Sequence, residues 1–145
     1  MPDETQSAIP RSFWIIASLA LVWNLLGVGA YIGHVTMTDE AIMALPEAER
    51  MLYENAPAWV TAAFATAVNG GALGCLLLLL RKAWAMPVLI LSLVGIVAQM
   101  YHSFFIAKAV AVYGPGSAVM PAMVIVIGIL LVWYARFATA KGWIS

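Results

Sequence analysis

The sequence predicts an all-α membrane protein: a four-transmembrane-helix bundle forming one domain over 1–145, with both termini inside and a short amphipathic helical cap in the first external loop. Three observations predict it. First, 64% of the 145 residues are hydrophobic and 10% are charged, against about 45–50% and about 25% in soluble domains. Second, the charges leave four uncharged stretches, 12–38, 55–80, 83–107 and 109–135, of 27, 26, 25 and 27 residues. Each exceeds the roughly 20 residues that span a bilayer. Third, Arg11, Arg81, Lys82, Arg136 and Lys141 flank one side, and Arg50 and Lys108 the other. Five bases against two in short loops puts both termini in the cytoplasm.

Within these stretches the helices are expected at about 12–35, 57–80, 83–107 and 119–138, because backbone groups in hydrocarbon must pair internally. The first helix is expected to be retained rather than cleaved as a leader, the alternative reading: Asp3 and Glu4 precede it, and the apolar run continues past the small-residue site at Val28-Gly29-Ala30. The loop after it, about 38–54, holds five of the seven acids: Asp39, Glu40, Glu47, Glu49 and Glu54. Thr38 is placed to cap one short helix and Pro46 to start another, with acids at their positive ends. Met43, Leu45, Met51 and Leu52 then form the apolar side of a cap on the outer surface. The alternative is an irregular acidic loop.

Arg81-Lys82 reads as a tight turn that makes the second and third helices antiparallel neighbours. The stretch Tyr113-Gly114-Pro115-Gly116-Ser117 reads as a Gly/Pro connection, with Pro121 tolerated in the first turn of the fourth helix. Lys108, at the outer end of the third helix, is expected either to snorkel to the headgroups or to pair with an acid of the first loop and clamp the cap. Trp14 and Tyr31 recur at the same offset as Trp84 and Tyr101, a faint echo of a two-hairpin repeat.

Polar residues at depth are few. Asn24 and Asn69 fall near the middle of their helices, Gln99 lies a turn nearer the outside, and Trp23 sits away from the usual aromatic belts. Gly29-x-x-x-Gly33 and Gly70-x-x-x-Gly74 supply small-residue faces for helix packing. The plain reading is interhelical glue, since such amides bond across helices for about 0.6 kcal/mol and up to roughly 2. The functional reading is a cavity for a neutral polar solute, lined by Trp23, Asn24, Asn69 and Gln99. The fourth helix has no strongly polar residue between Ala118 and Trp133, and so is expected to face lipid or a second copy.

His34 ends the first helix, and His102 lies about a turn deeper in the third. Imidazoles on facing helices ligate haem or a metal, and Met120-Pro-Ala-Met123 has thioether spacing suited to Cu(I). Packed or wet histidines are the commoner arrangement, and the expectation is no cofactor. Equal numbers of acids and bases leave no basic field for nucleic acid. Cys75 alone excludes a dithiol relay, and no carboxylate lies within a span to couple transport to protons. No nucleophile–base pair or phosphate loop is present, so the chain does not read as an enzyme.

The runs Arg11-Ser-Phe-Trp-Ile-Ile-Ala, Trp23-Asn24-Leu-Leu-Gly27, Pro57-Ala-Trp-Val-Thr-Ala-Ala-Phe-Ala, Gly70-Gly71-Ala-Leu-Gly74 and Leu80-Arg81-Lys82 resemble a group of small uncharacterised bacterial four-helix membrane proteins. Some of these carry the label "sugar transporter". The resemblance covers nearly the whole chain and implies the same topology, in a bacterial inner membrane; it carries over no catalytic residues and leaves function open. The Pro-Gln motif of small sugar carriers is absent. Three functional readings follow. The first is an accessory module that self-associates or packs against a larger membrane complex through its small-residue faces. The second is a dimeric carrier or binding protein for a small neutral solute. The third is an outer-face metal or haem site at His34 and His102.

Overall fold

The computed structural model describes residues 9–145, a series of helices joined by short turns with no strand among them; Asp3 and Glu4 lie outside the described residues. Prolines start three of the helices: Pro10 precedes α1 (Arg11–Val35), Pro46 precedes α3 (Glu47–Glu54) and Pro57 precedes α4 (Ala58–Leu79). A residue at this boundary has no intrahelical partner for its N–H, so proline there forfeits nothing. Between α1 and α3 the Thr38 Oγ1 accepts from Ala41 N–H at 3.1 Å and caps α2 (Asp39–Met43). The acidic segment is therefore helical rather than irregular.

Four helices are long and apolar enough to cross a membrane: Arg11–Val35, Ala58–Leu79, Ala85–Ile106 and Gly116–Ala140. Their surfaces are apolar all round, with Leu19, Leu25, Leu91, Val94, Ile129 and Leu130 among many exposed large side chains. That is the reverse of a water-soluble bundle.

The third of these helices begins as α5 (Ala85–Tyr101) and ends in a π turn, His102–Ile106. There Ala107 N–H donates to His102 O at 2.7 Å, an i→i−5 bond. The wider turn keeps His102 buried while Phe105 and Ile106 swing outward. Lys108 follows in the left-handed region (φ 50°) and reverses the chain into α6 (Ala109–Tyr113). Lys108 is exposed and makes no ion pair, correcting the expectation of a clamp; the one ion pair among the described residues is Arg50 Nε to Glu54 Oε1, 3.7 Å, within α3. Contact between α3 and α6 holds this end together instead. Burial, then the Glu49 carboxylate and the Tyr53 phenol, push the Tyr113 hydroxyl above its usual pKa.

A short 3₁₀ turn leads into α7 (Val119–Ala140). Packing runs α1 on α4, α4 on α5 and α5 on α7, with α4 and α5 the most intimate pair. Small residues allow this. Beta-carbons placed on Gly70 and Gly95 would lie 3.1 Å from Ser92 Cβ and 2.8 Å from Ala63 O. Ser92 Oγ donates to Ala67 O at 2.6 Å across the same crossing.

The buried core is gathered at the end where α1 begins and α7 finishes. It comprises Phe13, Ala17, Cys75, Leu78, Ala85, Leu89, Leu131, Ala135 and Ala138, with Trp143 and Ile144 of the tail tucked beneath. Phe13 stacks at 6.3 Å on Tyr134 and meets Trp143 edge-on at 5.9 Å. The fourth apolar helix is thus partly internal through Leu131, Ala135 and Ala138, more engaged than its uniform composition suggested. Helix α4 closes with Lys82 N–H donating to Leu77 O and Arg81 N–H to Leu78 O. This double bond pattern usually puts glycine where Arg81 stands. Arg81 holds that left-handed position (φ 60°) while its Nε donates to Trp143 O at 2.9 Å and its carbonyl accepts from Ser145 N–H.

Candidate functional site

Packing α1 on one side of the α4–α5 pair and α7 on the other leaves α1 and α7 in contact through the Phe13 ring cluster, with a crevice beyond it. Phe64, Ala67 and Val68 of α4, with Leu89, Ser92, Ile96, Gln99 and Met100 of α5, form its floor. Its walls are Trp23, Asn24, Leu26, Gly27 and Ala30 of α1, and Met120, Val124, Ile127, Gly128 and Leu131 of α7. The volume is about 350 Å3, within the range of small-molecule sites. Leu26 and Met120, on opposite walls, are 68% and 58% exposed, so the crevice opens sideways to the outside of the bundle.

Three of the four polar-cluster residues expected from the sequence line this space, and one does not. Trp23 and Asn24 stand on the α1 wall and Gln99 on the floor. Asn69 is exposed elsewhere on α4, its Nδ2 donating to Ala65 O of its own helix at 2.9 Å. Buried Ala67, Gly71, Gly74, Cys75 and Leu78 mark the inward stripe of α4. Asn69 is two residues from both Ala67 and Gly71, on the far side of a helix that turns about 100° per residue. That displacement was visible in the sequence once the small-residue stripe was taken as the inner face.

Asn24 is anchored. Its Nδ2 donates to Ala20 O at 2.8 Å and to Cys75 Sγ at 3.4 Å, and its Oδ1 lies where a Gly71 side chain would be. Ser92 spends its hydroxyl on Ala67 O. Gln99 differs: among the described residues its carboxamide makes no hydrogen bond. Ser92 was missed as a site residue because one serine in an apolar run carries no positional signal.

The glycine motifs part company. Gly70 and Gly74 face inward, and beta-carbons there would meet Ser92 and Leu89 of α5. Gly29 and Gly33 are on the outward side of α1 with nothing within 4 Å.

The histidines each have aromatic partners of their own. His34 stacks on Tyr53 at 4.8 Å and tilts against Phe64 at 5.7 Å, whereas His102 meets Trp59 edge-on at 5.5 Å. Residues 59 and 64 are five apart on α4, so they project about 140° from each other. The two imidazoles therefore pack on different faces of α4. No group of three or more His, Cys, Asp or Glu side chains is placed to hold a metal ion among the described residues. Fold and site together describe a four-helix apolar bundle, closed at one end and split along one side. The chain matches no protein-family model, no curated protein and no solved structure.

Proposed function

We propose that this chain is a non-enzymatic, multi-pass module of the bacterial inner membrane that self-associates through the Gly29–Gly33 face of α1. Both termini are cytoplasmic, and the acidic helices α2 and α3 cap the outer surface. Orientation rests on the five bases at the closed end, Arg11, Arg81, Lys82, Arg136 and Lys141, against Arg50 and Lys108 at the other.

The observation that carries self-association is the contrast among glycines. Within α1, α4, α5 and α7, Gly27, Gly70, Gly71, Gly74, Gly95 and Gly128 each meet a neighbour within the described chain, while Gly29 and Gly33 meet none. A small-residue pair four apart lets two helix backbones approach closely, which is how transmembrane helices commonly pair without hydrophobic drive. The occupant argued for is a second copy, whose Gly29–Gly33 face supplies the same groove about a twofold axis.

The test is energy transfer between donor- and acceptor-labelled full-length chains in lipid vesicles, diluted with added lipid. Gly29→Leu or Gly33→Leu is expected to lower transfer to the random-proximity level, while Asn69→Leu leaves it unchanged. Transfer that survives both glycine variants overturns the reading, as does transfer that never exceeds the random level. The latter outcome favours a larger partner complex.

A second reading, a carrier or binding protein for a small neutral solute, is supported by one observation: Trp23, Asn24 and Gln99 line a single cavity. Asn69 drops out of that set. The reading also has to contend with the sealed end beneath Leu131, where Phe13, Leu78 and Ala138 are fully buried.

A further inference from the structure

The shape of the crevice argues for an occupant other than a small polar solute. Its lining extends from Met120 to Leu131 on α7 and from Leu89 to Met100 on α5. Eleven residues of helix rise about 16 Å, so the crevice is a slot running along the helix axes. None of its lining residues is charged. It is sealed at the end that carries the core and open sideways between Leu26 and Met120. In a chain whose four long helices cross a membrane, that opening faces hydrocarbon, and the slot lies parallel to the lipid chains.

Among the described residues Gln99 is the slot side chain with both its donor and its acceptor unspent; the Trp23 indole N–H and the Asn24 Oδ1 also have no partner there. Both Asn24 N–H donors and the Ser92 hydroxyl are used within the protein, whereas the Gln99 carboxamide has no partner among the described residues. An amide without a partner in hydrocarbon is costly, and a neutral carbonyl or hydroxyl relieves it. A charged head group would instead lose its water with no counter-ion in the lining.

We propose that the slot binds a membrane-resident neutral amphiphile, which enters sideways between α1 and α7 and hydrogen-bonds Gln99 through a carbonyl or hydroxyl. Its hydrocarbon body lies against Leu89, Ile96, Val124 and Ile127, and Trp23 borders the slot on the α1 wall. The site is complete in one chain and stands whether or not the chain self-associates.

The experiment uses the full-length protein in nanodiscs loaded to one copy each, which separates this proposal from self-association. Three photoactivatable probes carry a diazirine in the same acyl chain: a monoacylglycerol, the free fatty acid at about pH 9, where its carboxyl is ionised at the bilayer surface, and a phosphatidylcholine. Crosslinks are mapped by peptide mass spectrometry. The expected result is that the monoacylglycerol labels 23–30 and 120–131 well above the outward face of α5, and that the two charged-head probes do not. Gln99→Leu, which keeps the side-chain size, is expected to weaken labelling roughly tenfold, about one hydrogen bond in hydrocarbon. Val124→Phe is expected to abolish it by filling the slot.

Unlabelled diacylglycerol and an unlabelled isoprenoid quinone, added separately as competitors, distinguish a glyceride from a ring carbonyl as the head. Uniform labelling of every outward face overturns the proposal. So does equal labelling by the charged probes, or labelling indifferent to both variants.

Discussion

Replacing Gly95 by alanine adds one methyl group at the closest approach of α4 and α5. That carbon would lie 2.8 Å from Ala63 O, 3.0 Å from Ala67 N and 3.3 Å from Thr66 Cβ, where ordinary contact begins at 3.4 Å. Two of these neighbours are backbone atoms, which cannot rotate away as a side-chain tip can. The helices must separate by about 0.6 Å, and a gap of about 0.5–1 Å forfeits a quarter to a half of each dispersion well across the contact. Overpacking usually costs about 1–3 kcal/mol; a backbone clash at the central crossing belongs in the upper part, about 2–3 kcal/mol. The same substitution at Gly29, with nothing within 4 Å, costs nothing in packing and gains up to about 1 kcal/mol of helix propensity. The assay is reversible unfolding in mixed micelles, dilute enough to keep the chain monomeric. Gly95→Ala should lower the folding equilibrium constant by roughly 30- to 150-fold, and Gly29→Ala should leave it level or raise it. If the two variants come within about 0.5 kcal/mol of each other, α4 and α5 do not cross at Gly95 and the packing argument fails.

Three further outcomes follow from the same contacts. Ser92→Ala removes the 2.6 Å bond to Ala67 O and should cost about 0.6–1.7 kcal/mol in that unfolding assay; no measurable loss would show the bond is not formed. Asn24→Leu should be more destabilising than Asn69→Leu by about 1–2 kcal/mol, because Asn24 is wedged between Gly71 and Cys75 while Asn69 bonds within its own helix; equal effects refute that placement. Arg81→Ala and Arg81→Gly should both speed tryptic cleavage after Lys141 by freeing the tail from the Arg81 guanidinium. The glycine variant should unfold less readily than the alanine one, since it sheds the left-handed strain of about 1–2 kcal/mol; the opposite order would be evidence against that strained turn.

Much of the fold was legible because the charges are so few. Arg11, Asp39, Glu54, the Arg81-Lys82 pair, Lys108 and Arg136 bound the apolar runs, and each helix begins or ends within a few residues of one of them. Thr38 and Pro46 marked helix starts by their side-chain chemistry. The π turn at His102–Ile106 was not legible, since an i→i−5 bond leaves no residue pattern of its own. Nor did spacing alone separate the two glycine motifs. Gly70-x-x-x-Gly74 and Gly29-x-x-x-Gly33 are the same word, and what divides them is which helix face meets a neighbour. Asn24 and Gln99 were found as candidates because amides are rare in these helices. That they share a slot depends on how far apart α1 and α7 stand, which no single residue reports.

That separation has a cause within the packing itself. Gly27 draws α1 onto Val68 of α4, and Gly128 draws α7 onto Ile96 and Leu93 of α5. Each outer helix is thus bound to a different member of the central pair. The outer helices meet where Phe13, Tyr134 and Trp143 supply rings large enough to bridge the gap. Beyond Leu131 the lining residues are Leu26 and Ala30 on one wall and Met120 and Val124 on the other, and the space between them stays open. The crevice is therefore a direct outcome of putting close-packing glycines on the α1–α4 and α5–α7 contacts and bulky aromatics at one end of the α1–α7 contact. Shrinking the aromatic end, as in Phe13→Ala, should unseat the core and extend the opening rather than close it. Enlarging a wall residue such as Val124 should fill the slot with little change to the three helix contacts that build it.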